Sequence, residues 1–342
     1  MTEVARGAHD LATVIQHAAA GVAIDMSVDL AGMRLPNPLM TASGCAANGK
    51  ELHRFFDIAE LGAFVTKTVM ADARTGRGTP RMAETPSGML NSIGLQGPGV
   101  TAFAQEDLVW LSSVGARVLV SIAGNTADEY AAVASILRQS PAFDAVVGVE
   151  VNISCPNVAN RGLVFACDPL ASAKVVGLVR ESLPPHVPIF AKLSPDVTDI
   201  VEIAGACVNA GADGLTMINT LLGMVIDTER LRPQVEGVTG GLSGPAIRPI
   251  AVRVIWQVRA AMLDGRIPVV PIIGVGGVRT GDDALQLVAA GASAIQVGTA
   301  TFNDPESPIR VNRELAATLQ NKGFARFSDA VGIAHNRLDP AR

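Results

Sequence analysis

The run Glu150-Val151-Asn152-Ile153-Ser154-Cys155-Pro156-Asn157 places a thiol between two amides. It starts as an apolar, strand-like stretch and ends in a turn set by Pro156, which carries Cys155 past the end of the strand. A cysteine in a polar turn, unlike one inside an apolar run, is placed to act as a nucleophile or a general base. The amides of Asn152 and Asn157 suit a flat polar edge, because an amide offers donor and acceptor without adding charge. Cys45, Cys167 and Cys207 lack this setting and read as inert small hydrophobes.

Two lysines end apolar runs: Lys67 follows Phe64-Val65-Thr66, and Lys192 follows Ile189-Phe190-Ala191. Both ammonium groups are expected to point into an interior, where a charge needs a partner. Few acids lie near them in sequence, so an anionic or electron-rich ligand is the expected partner. Small-residue turns at Gly274-Val275-Gly276-Gly277 and Gly298-Thr299 fit a phosphate held by backbone N–H groups. Gly240-Gly241-Leu242-Ser243-Gly244-Pro245 adds a third such loop. Asn91, Asn125 and Asn219-Thr220 supply further amides at strand or loop ends. The five histidines are scattered, so neither a Ser-His-Asp arrangement nor a metal site is expected.

The elements that must position these groups alternate. Candidate strands span 38–43, 63–68, 117–123, 146–153, 189–193, 214–219, 269–274 and 294–298. Each is a continuous apolar run, as expected of strands buried on both faces of a parallel sheet. Helical patterns span 127–139, 169–182, 197–210, 246–263 and 281–290. Eight strands with helical crossovers point to an α/β fold, a closed (β/α)8 barrel. The alternative, a doubly wound open sheet, normally carries a G-x-G-x-x-G turn that is absent here. Insertions at 70–99 and 221–244 follow strand ends and are expected as functional loops on the C-terminal face. Residues 1–25 read as a tail or short helix (9–21), and 26–342 as one barrel domain.

Composition agrees with an enzyme-like globule. The 342 residues are 49% apolar and 17% charged, with net charge −5 and no basic run, which argues against nucleic-acid binding. The four cysteines form no C-x-x-C pair, so this chain alone offers neither a zinc ribbon nor an iron–sulfur site. The apolar stretch 18–24 is far below the roughly 18–20 residues of a membrane span, and a cytoplasmic protein is expected.

Several motifs together resemble class 1 dihydroorotate dehydrogenases. They are Ser43-Gly44, Lys67-Thr68, the run from Glu84 to Gln96, Asn152 to Asn157, Lys192-Leu193-Ser194-Pro195, GLTMINTLLGM from Gly214, GGLSGPAIRP from Gly240, Gly276-Gly277 and Gly298-Thr299. Cysteine at 155 resembles class 1, whereas class 2 has serine there, and the long glycine-bearing runs look most like the NAD-linked subclass 1B.

This resemblance implies an FMN barrel that oxidises (S)-dihydroorotate to orotate in pyrimidine biosynthesis. Cys155 would take the C5 proton while hydride leaves C6 for the flavin, with Lys67 and Lys192 supplying charge. Lys67, Asn91, Ser92, Ile93, Gly94, Leu95, Asn152, Asn157, Asn219 and Thr220 would hold substrate. Ser43, Lys67, Thr68, Ser121, Asn152, Lys192, Ile218, Gly244, Gly276, Gly277, Gly298 and Thr299 would hold FMN. The family has an asparagine where this chain has Ser121, so that flavin contact falls to Ser121 or to Asn125. The subclass further implies a homodimer joined by a partner subunit with FAD and a [2Fe–2S] cluster, a heterotetramer.

Three rivals stay open on sequence alone. They are a class 1A-like enzyme passing electrons to fumarate, a dehydrogenase of another dihydropyrimidine, and a flavin-free barrel acting on sugar phosphates. The last lacks the usual acid/base carboxylate at its strand ends.

Overall fold

The computed structural model describes residues 23–154 and 167–337. In chain order the first strands are β1 (Val28–Leu30), β2 (Met33–Leu35), β3 (Leu39–Thr41), β4 (Phe64–Val65), β5 (Met82–Thr85), β6 (Gly88–Asn91), β7 (Val118–Ile122) and β8 (Val146–Asn152). Then follow β9 (Ile189–Leu193), β10 (Gly214–Met217), β11 (Leu221–Gly223), β12 (Ile226–Asp227), β13 (Arg232–Pro233), β14 (Gly240–Ser243), β15 (Ile272–Val275) and β16 (Ala294–Val297).

Eight of these make one parallel sheet in the order β3-β16-β15-β10-β9-β8-β7-β4. A parallel bridge between Met40 and Ala63 joins the two outer members and closes the ring. The closure explains why β7 and β9 are buried along their whole length: helices cover one face and the barrel interior the other. The expected (β/α)8 barrel is the observed fold. Its strands are shorter than their apolar runs, and the seventh begins at Ile272 because Val269 lies 66% exposed outside the sheet.

All five expected crossover helices form, at Ala127–Leu137, Pro169–Ser182, Ile200–Asn209, Arg248–Leu263 and Gly281–Ala290, and the short helix expected at 9–21 lies outside the described residues. Thr126, Asp168, Asp199 and Thr280 accept backbone N–H bonds at four of their starts, which is why these helices begin where they do. Two helical stretches were not anticipated, 100–113 and Ser307–Asn321. Among the described residues no helix is long and apolar enough to cross a membrane.

The lower end of the barrel is plugged by the β1–β2 hairpin, a feature the alternation pattern did not anticipate. Leu30, Met33 and Leu35 pack with Met40, Ala63, Val65, Leu119, Phe190, Ile273 and Ala294, most of them near the starts of the barrel strands. Residues around Asp25 pair with Ala325 to Phe327 at the other end of the chain. The apolar floor leaves the upper interior free for polar groups.

The two insertions are not plain loops. β5 and β6 from the first join β11 and β14 from the second in an antiparallel sheet of order β11-β14-β6-β5. Their Pro/Gly content signals turns correctly, but strands of three or four residues with mixed polarity carry too little periodicity to be read. Pairing Leu90 with Leu242, and Asn91 with Gly241, brings residues 150 apart in sequence to one wall above the barrel.

Candidate active site

That wall, the strand ends and the turns after β15 and β16 enclose a cavity of about 1390 Å³. Single ligands usually occupy roughly 300–1,000 Å³, so there is room for two molecules side by side.

Asn152, at the end of β8, is the hub of one side. Its Nδ2 donates to Thr68 Oγ1 (3.1 Å), and its Oδ1 accepts from Ser154 Oγ (3.1 Å) and from Asn219 Nδ2 (3.3 Å). Asn219 Nδ2 also reaches Ser154 Oγ at 2.7 Å. Thr68 Oγ1 continues the chain to Ser43 Oγ (3.1 Å) and Ser121 Oγ (3.0 Å). The ends of five strands, β3, β4, β7, β8 and β10, are thereby tied together by side chains, which fixes the amide edges that face the cavity. Asn91 is held against the barrel mouth by its bond to the carbonyl oxygen of Gly241 (3.0 Å).

On the neighbouring strand β9, Lys192 is the register partner of Asn152. Lys192 Nζ donates to Glu150 Oε1 at 3.1 Å, and Gln296 Nε2 donates to Glu150 Oε2 at 2.8 Å. Glu150 and Gln296 are fully buried and Lys192 is 4% exposed. This corrects the expectation that Lys192 must await an anionic ligand, since its partner is a protein carboxylate. Neither Glu150 nor Gln296 was singled out from sequence. The signal was there, since one acid inside Val146-Val147-Gly148-Val149-Glu150-Val151 has to find a cation or donor in the interior.

Of the residues expected to contact substrate or FMN, Ser43, Lys67, Thr68, Asn91, Ile93, Gly94, Leu95, Asn152, Lys192, Ile218, Asn219, Thr220, Gly244, Gly276, Gly277, Gly298 and Thr299 all line the cavity. Two do not. Ser121 is fully buried behind Thr68, and Ser92 is buried beneath Arg77, whose Nη1 donates to its Oγ at 3.2 Å. Asn125 faces elsewhere too, with both its backbone N–H and Nδ2 bonded to Glu129. Cys155 and Asn157 lie outside the described residues.

Cys45 was read as inert, and it lines the cavity after β3, within electrostatic reach of Lys67 and Lys192. Burial pushes its thiol up to about 11, while the charges of Lys192 and Lys67 pull only partly in the other direction. A thiol raised that far stays protonated at neutral pH, so inertness and a place at the site are compatible. Alkylation of Cys45 at pH 8, followed by peptide mass spectrometry, should be at least about tenfold slower in the folded protein than in urea. Equal rates would contradict that burial.

The comparisons with known proteins bear on the same scaffold. The family model described as dihydroorotate dehydrogenase matches residues 25–319. A protein of Geotalea uraniireducens named dihydroorotate dehydrogenase B (NAD(+)), catalytic subunit, is 48% identical over 308 residues, 90% of this chain and 97% of the relative. Relatives of the same name from Geobacter sulfurreducens (46% over 308 residues) and Trichlorobacter lovleyi (47% over 307 residues) cover 90% of this chain and 97% of their own. By the extent of these matches, and with the barrel and cavity they span, the chain belongs to the dihydroorotate dehydrogenase family.

Proposed function

We propose that this chain is the catalytic subunit of an NAD-linked dihydroorotate dehydrogenase, oxidising (S)-dihydroorotate to orotate with FMN in pyrimidine biosynthesis. The observation that carries the reading is one cavity lined by two chemically different sets of groups. One set is the amides of Asn91, Asn152 and Asn219 with Lys67, and the other is Lys192, Gln296 and the turns at Gly276-Gly277 and Gly298-Thr299.

The second set suits FMN. Gln296 Oε1 is buried without a hydrogen-bond partner among the described residues, an acceptor that a ring N–H satisfies. Gly276 and Gly277, both at positive φ, leave backbone open beside the cavity for a phosphate. Lys192 with Gln296, Ile218, Gly244, Gly276, Gly277, Gly298 and Thr299 would hold the cofactor, with Ser43 and Thr68 at its far edge. Bound FMN supplies the two-electron acceptor for the C6 hydride. Lys67 offers the positive charge that a substrate carboxylate needs, and the three amides match the pyrimidine edge. Cys155, next in the chain after the anchored Ser154, would remove the C5 proton.

The NAD-linked reading is favoured over fumarate coupling by the names of the relatives. A partner subunit carrying FAD and a [2Fe–2S] cluster would then take the electrons, on a homodimer of this chain. The test is optical and cheap. Purified protein should be yellow and should bleach anaerobically with dihydroorotate but not with dihydrouracil, and NAD should be reduced only when the partner is added. A colourless wild-type protein that binds no FMN, or a yellow one untouched by dihydroorotate, would refute the proposal. Bleaching reversed by fumarate alone would favour the class 1A alternative.

A further inference from the structure

We propose that Glu150, seconded by Gln296, is the positioning residue that holds the Lys192 ammonium in place for the cofactor. This rests on the reading that FMN occupies the glycine-rich side of the cavity.

Three strands meet in the arrangement: Glu150 comes from β8, Lys192 from the adjacent β9 and Gln296 from β16. In the ring order β8 and β16 are four places apart, so the Gln296–Glu150 bond spans the barrel's interior. Lys192 and Gln296 line the cavity, whereas Glu150 sits behind them. Glu150 therefore acts through its neighbours. Both carboxylate oxygens are used, one on the ammonium and one on the amide, so neither Lys192 nor Gln296 is free to turn.

Stability alone does not call for this. Burying an ion pair costs desolvation that its attraction only partly repays, and well-packed apolar residues in its place are often as stable or more so. Among the ion pairs of the described residues, this is the one with both partners almost wholly buried, with side chains 5% and 0% exposed. Its location at the floor of the cavity gives it a task. When hydride leaves the substrate, a negative charge arrives on the acceptor side, and a fixed ammonium stabilises it without reorganising. Without the carboxylate, the ammonium loses its hydrogen-bond anchor and its place, and that stabilisation goes with it.

The experiment is a double-mutant cycle on the FMN-loaded protein, read by the midpoint potential of the flavin and by the rate of its reduction by dihydroorotate. Glu150→Gln should lower the potential in the same direction as Lys192→Met and slow reduction at least about tenfold, with KM within about twofold. Adding Glu150→Gln to Lys192→Met should change little more, because without the ammonium Glu150 has no charge left to position. Gln296→Leu, which leaves the ion pair intact, should shift the potential in the same sense by less, and it carries the test if Glu150→Gln fails to fold. An unchanged or raised potential in the single variants, or full additivity in the double, overturns the proposal. Wild-type protein without FMN would instead refute the cofactor reading, and the two failures are told apart by colour before any variant is made.

Discussion

Cys155→Ser is expected to lower the rate of dihydroorotate-driven flavin reduction at pH 7 by about 10²–10⁴-fold, the usual worth of a general base, while the protein keeps its FMN. The reasoning is acid–base chemistry. A thiol with an ordinary pKa of about 8.5 is mostly protonated at neutral pH, yet a useful fraction is thiolate, whereas a serine hydroxyl has almost none. The base acts in its deprotonated form, so the wild-type rate should climb as pH rises toward the thiol's pKa and then level. In the serine variant that climb should vanish from the range between pH 7 and 9. Cys45 cannot imitate it, because burial holds its thiol up at about 11. Nor should FMN be lost. The cavity-lining groups proposed to hold it come from other turns and strands, and the chain entering position 155 is anchored by the bonds of Ser154 to Asn152 and Asn219. Stopped-flow reduction across this pH range, with flavin content measured by absorbance, is the check. Equal rates at pH 7 in the two proteins would remove Cys155 from the mechanism.

What could be read from sequence follows from which signals are local. The apolar runs around Val118–Ile122 and Ile189–Leu193 announce strands buried on both faces, and eight such runs with helices between them admit few architectures. The lining of the cavity was largely legible as well, because Lys67, Lys192, Asn152 and Asn219 stand at the ends of those runs, on the face where a barrel opens its cavity. The links between them were not. That Lys192 meets Glu150 depends on facing directions inside a closed ring, and that Gln296 reaches Glu150 depends on which strands lie opposite. Neither is encoded in any window of sequence. Ser92 and Ser121 show the converse limit: Ser92 stands between Asn91 and Ile93 at the cavity yet is buried beneath Arg77, and Ser121 is buried behind Thr68. The hairpin Val28–Leu35 escaped because short strands carry weak periodicity, whereas the helix Ser307–Asn321 does carry an amphipathic signal, with Val311, Leu315 and Leu319 four residues apart, and was overlooked. Their positions are fixed by tertiary packing.

Gly277→Val should yield a folded but colourless protein, its affinity for FMN weakened at least about 100-fold, equivalent to about 2.7 kcal/mol. Gly277 has φ +72°, a conformation that a β-branched residue adopts only with strain. A Cβ at this position would lie 2.7 Å from Arg248 Cβ and 2.8 Å from the carbonyl oxygen of Gly244. Both neighbours matter to the site. Gly244 is itself a cavity residue at φ +91°, and Arg248 begins the helix Arg248–Leu263 and returns a bond from Nη1 to the Gly277 carbonyl oxygen at 3.2 Å. Arg248 also pairs with Asp283 at 2.7 Å, which ties the turn to the next helix as well. The valine must push the turn toward the cavity or push the Gly244 loop away from it, and either movement disrupts the backbone cradle proposed for the phosphate. Strain without displacement is isolated by Gly265→Val. Gly265 has nearly the same φ, +71°, but its added Cβ meets nothing within 4 Å. That variant should lose stability of about 1–3 kcal/mol in urea titrations yet stay yellow. If Gly277→Val retains wild-type affinity for FMN in fluorescence titrations, the glycine turn after β15 is not where the phosphate sits. If Gly265→Val bleaches equally, the loss reflects general destabilisation and the assignment of the turn falls with it.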